Sequence, residues 1–326
     1  MEAGMVRRGL HIMLAAGGTG GHMIPAQALA MELIRRGHKP ALVTDGRGMR
    51  FAPLFEGVTI FEVASGRSQG GLWGRLKALG EIVRGIFAAT RLFRRFRPAA
   101  VVGFGGYPSL PAGVAAFCTG TPLCLHEQNA VFGRTNRLLA RVARLIALSF
   151  EDTRRVPAGR RTVVTGNPVR SEIRALRDRP YPEFSADSLM RILVIGGSQG
   201  ARILSDVVPA AISTLPRALL DRLQITQQCR EEDLDRVRDR YAELGVAAQV
   251  MTFIDDLPAR LEWTHLVIAR AGASTVSELA AAGRPAVLVP LAHATDDHQS
   301  ANAAEMAAVG GAWVMRESEF TPAALA

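Results

Sequence analysis

Two glycine-rich segments of similar build, Gly17-Gly18-Thr19-Gly20-Gly21-His22 and Gly196-Gly197-Ser198-Gln199-Gly200-Ala201, each follow a short apolar run and each lead into a stretch with helical spacing. Glycine lets a chain leaving a strand turn tightly, and the N–H groups at the start of the next helix attract phosphate. Strand, glycine turn and helix, written twice in one chain, predict a pair of phosphate-handling α/β domains facing a cleft. The length of 326 residues agrees, because roughly 150 residues per domain gives two domains, each with its own core.

Between these segments the apolar pattern alternates as a parallel sheet requires. The spacing predicts a strand over Leu10–Ala16, a helix over Ile24–Arg36 closed by Gly37, and a strand over Pro40–Thr44. Runs at Ala99–Gly103, Pro122–Leu125, Leu145–Ser149 and Thr162–Thr165 continue the rhythm of a doubly wound, Rossmann-like fold. Between Asn167 and Met190 the chain is rich in Pro, Asp and Arg without a sustained period, which marks a linker. The expected domains are therefore 1–166 and 167–326, with the linker at about 167–190. The pattern restarts at Arg191–Ile195, with strands near Leu223–Thr226, Ala248–Thr252, Leu266–Ile268 and Ala286–Pro290. Helices are expected at Glu231–Leu244, Thr275–Ala282 and Asp297–Val309.

The net charge of +9 hides an asymmetry. Through Gly166 there are 23 Lys and Arg against 9 Asp and Glu, and beyond it 16 against 21. An anionic partner of the first half is implied, either nucleic acid or an acidic membrane surface. No nucleic-acid motif accompanies the charge, so the membrane is the expected partner. Leu72, Leu76, Leu79, Val83 and Ile86 recur at helical spacing, Trp73, Phe87, Phe93 and Phe96 add aromatics, and from Arg67 to Arg97 eight basic residues face only Glu81. Such a stretch can lie in an anionic membrane surface, or cross over the sheet with its apolar side inward, and both can hold for different parts. No uninterrupted apolar run approaches the roughly 20 residues a spanning helix needs. Cys118, Cys124 and Cys229 show no CxxC spacing and read as reduced thiols. The N-terminus imitates a secretory signal, but its apolar run is short, contains His11 and breaks at Gly17, so export is not expected.

Several residue groups can carry chemistry. The first glycine segment lacks the third glycine of a dinucleotide fingerprint, although Asp45 ends the second strand where a ribose-binding acid would sit. His22 falls in the first turn of the following helix, where the positive helix end disfavours the imidazolium and leaves a ring able to accept a proton; it can equally be a turn-stabilising residue. Gly103-Phe104-Gly105-Gly106-Tyr107-Pro108-Ser109 can cradle a phosphate or simply turn from strand to helix. His126-Glu127-Gln128-Asn129 follows an apolar strand, at the end where open α/β sheets bind ligands. No second cluster at ligand spacing accompanies it, so no metal is expected. Arg170 in Thr165-Gly166-Asn167-Pro168-Val169-Arg170 can pair with a diphosphate, or be structural. Glu278 is three residues after Thr275 and can form a capping box or accept two sugar hydroxyls; Gln299 can likewise cap or contact a sugar. Asp233-Leu234-Asp235 imitates a metal-holding DxD but lies in a charged helical stretch, and reads as a solvated face.

In combination, Gly17–His22, GFGGYPS (Gly103–Ser109), His126–Asn129, TGNPVR (Thr165–Arg170), GGSQGAR (Gly196–Arg202), Arg270–Glu278 and Gln299 with Asn302 resemble the MurG family, from about Leu10 to Met315. That family is the membrane-associated N-acetylglucosaminyltransferase of bacterial cell-wall synthesis. The resemblance implies a GT-B fold, with UDP-N-acetylglucosamine (UDP-GlcNAc) bound by the C-terminal domain. It also implies the lipid-linked muramoyl-pentapeptide, lipid I, on the N-terminal one, no cofactor, and a peripheral place on the cytoplasmic face of the inner membrane. His22 would be the general base for the acceptor 4-hydroxyl, with Glu127, Asn129 and Tyr107 on the acceptor side. Gly18, Gly21, Gly105 and Gly106 would form the acceptor and phosphate loops; Thr19, Arg170 and Ser198 would hold the diphosphate, and Gly20 and Asn129 would also bind UDP-GlcNAc. Ile254 would receive uracil through its backbone, Glu278 the ribose hydroxyls, and Ala273, Ser274, Thr275 and Gln299 the neighbourhood of the sugar. Leu72, Trp73, Leu76, Leu79 and Phe87 would touch the membrane.

The chain departs from that pattern in three places. Ser205 stands where the family commonly has Asn, and His298 where some members carry a second glutamine. The sequence ends at Ala326, whereas family members usually continue through helices returning to the N-terminal domain, so those helices are expected to be missing. Two rival readings remain: a related GT-B transferase acting on another lipid such as a diacylglycerol, and a non-catalytic sugar-nucleotide-binding partner at the membrane.

Overall fold

Strands that are buried on both faces need continuous apolar runs, and helices crossing over them need one apolar stripe. The computed structural model, which describes residues 9–66, 71–185, 187–197 and 200–326, meets both demands twice. The chain divides into two compact units, residues 1–170 and 171–326.

In the first unit the order is β1 His11–Ala15, α1 Gly20–Arg35, β2 Lys39–Thr44, β3 Thr59–Glu62, α2 Gly71–Phe96, β4 Ala100–Gly103, α3 Ser109–Thr119, β5 Leu123–Glu127, α4 Arg134–Leu139, β6 Leu145–Leu148 and β7 Thr162–Val164. All seven strands pair in parallel in the order β3-β2-β1-β4-β5-β6-β7. Alternation along β1 shows how the two faces are filled. Met13 and Ala15 pack with Ala89 and Phe93 of α2 and Ala112, Ala115 and Ala116 of α3. Leu14 and Ala16 pack with Met23, Ala26 and Ala30 of α1 on the other side. Helices therefore cover both faces, as in doubly wound sheets.

The second unit runs α5 Ser171–Arg174, β8 Met190–Ile195, α6 Arg202–Ile212, α7 Arg217–Leu220, β9 Leu223–Gln228, α8 Leu234–Leu244, β10 Ala247–Met251, α9 Leu257–Trp263, β11 Leu266–Ala269, α10 Ala273–Ala282, β12 Ala286–Leu288, α11 His298–Ala308, β13 Ala312–Val314 and α12 Pro322–Leu325. Its six strands are again parallel, in the order β10-β9-β8-β11-β12-β13. Within the segment read as a linker, Ile173 and Leu176 are buried, and the Tyr181 hydroxyl donates to His265 O at 2.6 Å.

Strand order reverses between β1 and β4 in the first sheet and between β8 and β11 in the second. Loops leaving neighbouring strands at such a point diverge and leave a crevice at the strand C-termini. Among the elements that differ from the sequence reading are α1, β3 and β13. Helix α1 begins at Gly20 rather than Ile24, because the Thr19 carbonyl already accepts from His22 N and Met23 N, each at 3.1 Å. The strands β3 and β13 had no counterpart in the sequence reading. Both are short edge strands, buried on fewer sides, and carry weak apolar patterns.

Candidate active site

The first glycine loop leaves β1 and the Gly103–Ser109 turn leaves β4, so the two flank the switch point. They pack against each other more closely than side chains allow. Gly105 and Gly106 have φ of +90° and +77°, and a methyl group at Gly106 would come within 2.7 Å of Gly17 O. Ser109 fixes the turn, its hydroxyl shared between Ala15 O and Gly105 O at 2.8 Å each.

His22 sits between these loops as the third residue of α1, with Thr19 as N-cap. Its Nδ1 lies 3.1 Å from Gly17 O. A carbonyl oxygen only accepts, so the hydrogen-bond network assigns the proton to Nδ1 and the lone pair to Nε2. The hydroxyl of Thr19 is 3.4 Å from the same Nδ1. A methyl group at Gly105 would meet Nε2 at 3.2 Å, so this nitrogen faces the second glycine turn.

Tyr107 is half exposed, and the Arg47 guanidinium stands over its ring, 5.5 Å from the centroid. Arg47 pairs with Asp45 at 2.8 Å, and Asp45 also accepts from Gly48 N at 3.0 Å and the Ser65 hydroxyl at 3.1 Å. Burial pushes the Asp45 carboxyl up, but these hydrogen bonds and the Arg47 charge outweigh it and hold it below its ordinary value. Arg50 donates to Gly18 O at 3.2 Å, so two arginines brace the first loop.

The His126–Asn129 cluster is positioned differently from the sequence reading. His126 and Glu127 are the last residues of β5 rather than a loop after it, and His126, Glu127 and Gln128 are all buried. His126 Nε2 donates to Gly166 O at 3.1 Å while Nδ1 accepts from Gln128 Nε2 at 3.0 Å. Burial lowers its pKa to about 4, so the ring is neutral. Glu127, expected to meet the acceptor, is 2% exposed. Its Oε1 accepts from Asn129 N at 3.2 Å and Asn129 Nδ2 at 3.1 Å, and its Oε2 from Gly133 N at 2.8 Å and Asn136 Nδ2 at 2.9 Å. Burial raises the carboxyl pKa against the opposing pull of these four donors. Enclosed in this way, the carboxyl group holds both the backbone and the side chain of Asn129. Asn136 gave no signal in the sequence, because only the fold brings α4 to the end of β5.

In the second unit, Gly196 and Gly197 leave β8, and the loop before α10 leaves β11. Ser198 lies outside the described residues. Gly272 is the N-cap of α10, which places Thr275 third and Glu278 sixth in the helix. The capping box is thereby excluded, since Thr275 is inside the helix and its partner lies a turn further on; Glu278 is buried. The Ser274 hydroxyl, in the first turn, is buried without a hydrogen-bond partner among the described residues. Asn302 donates to Ala271 O at 3.1 Å, and Gln299 Oε1 accepts from Leu291 N at 3.0 Å, so α11 fixes the backbone on either side. His298 Nδ1 donates to Thr295 O at 2.7 Å. Ile254 is buried beside the exposed Phe253, two residues after Thr252. Arg170 ends the first unit and is partly exposed. Asp233 corrects the solvated-face reading: it is buried and paired with Arg230 at 2.8 Å and Arg236 at 2.9 Å, whereas Asp235 is exposed.

Helix α2 has two faces. Ala78, Gly85, Ala89 and Phe93 are buried, and the helix packs against α3. Trp73 is 84% and Phe87 73% exposed, with Leu76, Leu79 and Val83 exposed between them. Arg75, Lys77, Arg84, Arg91, Arg94 and Arg95 are exposed on the same helix, and on α3 Phe117 adds an exposed aromatic ring. Of Leu72 only its place in the helix is described. Among the described residues no helix is long and apolar enough to cross a membrane.

Residues 12–148 match the glycosyltransferase family 28 N-terminal domain, and residues 191–326 the C-terminal domain of the same family. A protein of Zymomonas mobilis named UDP-N-acetylglucosamine–N-acetylmuramyl-(pentapeptide) pyrophosphoryl-undecaprenol N-acetylglucosamine transferase is 55% identical, over 96% of this chain and 82% of that protein. The protein of the same name from Sphingopyxis alaskensis is 54% identical over 97% of this chain and 81% of its own length. The crystal structure of Acinetobacter baumannii MurG superimposes with a TM-score of 0.75 at 36% identity, covering 97% of this chain and 88% of that one. The chain belongs to the MurG family. Its two doubly wound parallel sheets are the GT-B architecture that the resemblance implied, and a MurG-family chain is a glycosyltransferase. The kitacinnamycin and calicheamicin glycosyltransferases and a UDP-GlcNAc 2-epimerase, at 18% identity or less, share the fold alone.

Proposed function

We propose that this protein moves GlcNAc from UDP-GlcNAc to the 4-hydroxyl of lipid I, forming lipid II for peptidoglycan synthesis. The named relatives supply the substrates, and the observation that carries the chemistry is the His22 ring, whose proton on Nδ1 is directed to Gly17 O while Nε2 holds a lone pair. The acceptor oxygen attacks the anomeric carbon of GlcNAc and gives its proton to Nε2. The bond from that carbon to the diphosphate oxygen breaks, UDP departs with the electron pair, and the configuration inverts.

Acceptor recognition is assigned to Tyr107, Asn129 and the loops containing Gly18, Gly20, Gly21, Gly105 and Gly106. Glu127 acts through Asn129. On the donor side, Thr19, Arg170, Ser198 and the N–H groups of the second glycine loop neutralise the leaving diphosphate. The Ile254 backbone takes uracil, Glu278 the ribose, and Ala273, Ser274, Thr275 and Gln299 the sugar. The Ser274 hydroxyl, without a partner among the described residues, supports this, since a buried O–H without a bond is satisfied when a polar ligand arrives.

The exposed stripe Trp73, Leu76, Leu79 and Phe87, flanked by arginines, supports peripheral attachment to the anionic cytoplasmic face of the inner membrane, where a lipid-linked acceptor resides. Leu72 is assigned to the same contact by its place in the helix.

The test is transfer of labelled GlcNAc from UDP-GlcNAc to lipid I by the purified protein, beside His22→Ala. Lipid II is expected from the wild type, with kcat lower by on the order of a hundredfold or more in the variant. Equal turnover in the variant would remove His22 as the base. No product from a wild-type protein that binds UDP would sink the acceptor assignment.

A further inference from the structure

Gln228, which no sequence motif singled out, is the last residue of β9, and β9 lies between β8 and β10 in the sheet. Loops from both neighbours therefore pass its side chain. The amide uses one acceptor and two donor hydrogens on three backbone groups. Oε1 accepts from Gly196 N at 3.2 Å, and Nε2 donates to Gly197 O at 3.0 Å and Thr252 O at 3.2 Å. Two of these groups belong to the second glycine loop and the third to the loop leading to Ile254. The residue is 6% exposed.

We infer that Gln228 is a positioning residue for the sugar nucleotide, setting the spacing between the backbone that reads the base and the loop that holds the diphosphate. The inference rests on the donor assignment above. Its surroundings leave the clamp little freedom. Cys229 N donates to Met251 O at 3.0 Å, so the β9–β10 pairing runs on beyond Gln228. A methyl group at Gly200 would strike Arg230 Cγ at 2.6 Å, so the returning limb of the glycine loop lies on the residue two along. Neither contact fixes Gly196 and Gly197 relative to Thr252; among the described residues only the Gln228 amide bonds to both. A leucine of similar size fills the space and makes none of the three bonds. A glutamate keeps an acceptor for Gly196 N but, when ionised, has nothing to donate to the two carbonyls.

A ligand that touches both loops depends on their spacing, whereas one that touches a single loop does not. The experiment is calorimetric titration of the full chain with UDP and with uridine, for wild type, Gln228→Leu, Gln228→Glu and Tyr241→Phe. Tyr241→Phe removes the neighbouring buried bond from the Tyr241 hydroxyl to Gln227 Oε1 (2.7 Å) and controls for general loosening of the same sheet. In Gln228→Leu the expected loss is roughly tenfold or more for UDP and much smaller for uridine, since several hydrogen bonds lapse at once. Gln228→Glu is expected to recover UDP affinity relative to wild type as pH falls, because a protonated carboxyl can donate one bond again. Tyr241→Phe should leave the ratio of the two affinities unchanged. If UDP and uridine weaken by the same factor in both Gln228 variants, or neither weakens, the clamp is overturned while the donor assignment stands. Failure of the wild type to bind UDP would overturn the donor assignment and the clamp with it.

Discussion

Asn136 Nδ2 lies 2.9 Å from Glu127 Oε2, joining the start of α4 to the last residue of β5 beneath the chain that carries Asn129. Four donors converge on this one carboxylate. Glu127→Ala leaves them facing a void, and the expected cost is about 3 kcal/mol or more in urea unfolding, with lower transferase activity because Asn129 loses its seat. Glu127→Gln retains acceptor capacity and should lose less. An alanine variant as stable as wild type would refute the seat.

The neighbouring His126 makes stability pH-dependent in a defined window. Its pKa is lowered by burial from 6.5 to about 4, so the unfolded chain binds the proton first. The contribution is complete above pH 6.5 and is lost as pH falls through 4, amounting to about 3 kcal/mol across the window. The unfolding free energy of wild type minus that of His126→Gln should therefore decline between these limits. A difference that stays constant with pH would mean that His126 is not buried as a neutral ring.

Substitution of two of the left-handed glycines in the first unit's loops, Gly18 and Gly106, should have unequal effects. Gly18 has φ +87°, with Arg47 the nearest neighbour of an added methyl at 3.5 Å, so Gly18→Ala is charged mainly for backbone strain, about 1–2 kcal/mol. Gly106→Ala adds a clash with Gly17 O, the atom that orients His22. We expect Gly106→Ala to be less stable and much less active. Equal activities in the transfer assay would contradict the loop packing.

The α2 stripe can be tested without touching catalysis. Trp73→Glu combined with Phe87→Glu should weaken cosedimentation with vesicles of anionic phospholipid by at least roughly tenfold, since each aromatic ring contributes about 1.5–3 kcal/mol on burial. Added salt should weaken the remaining wild-type binding further. Unchanged vesicle binding in the double variant would exclude this face as the membrane contact.

The sheet strands in the middle of each unit were legible because burial on both faces writes an uninterrupted apolar run, as in Leu193 and Val194 of β8. The site was only partly legible. Glycines with positive φ announce themselves by residue type, so Gly18, Gly106 and Gly197 could be read as loop positions. Glu127 could be picked out but not its enclosure, because three of its four bonds come from Gly133, Asn136 and the Asn129 backbone, whose approach depends on where α4 lands. Gln228 carried no signal at all. A polar residue ending a strand looks the same whether it faces solvent or joins two loops, and only the β10-β9-β8 order distinguishes them.

Each sheet is built from one unbroken stretch of chain, all seven strands of the first lying before Arg170. Among the described residues, nothing in that sheet waits for a strand supplied by the later half. During synthesis the first unit has its full complement of pairing partners while residues beyond 171 are still being added, and domains completed in this way fold as they emerge. The arginine-flanked stripe on α2 is thus finished early in translation, so the lipid attachment proposed for it can precede completion of the half proposed to bind the nucleotide.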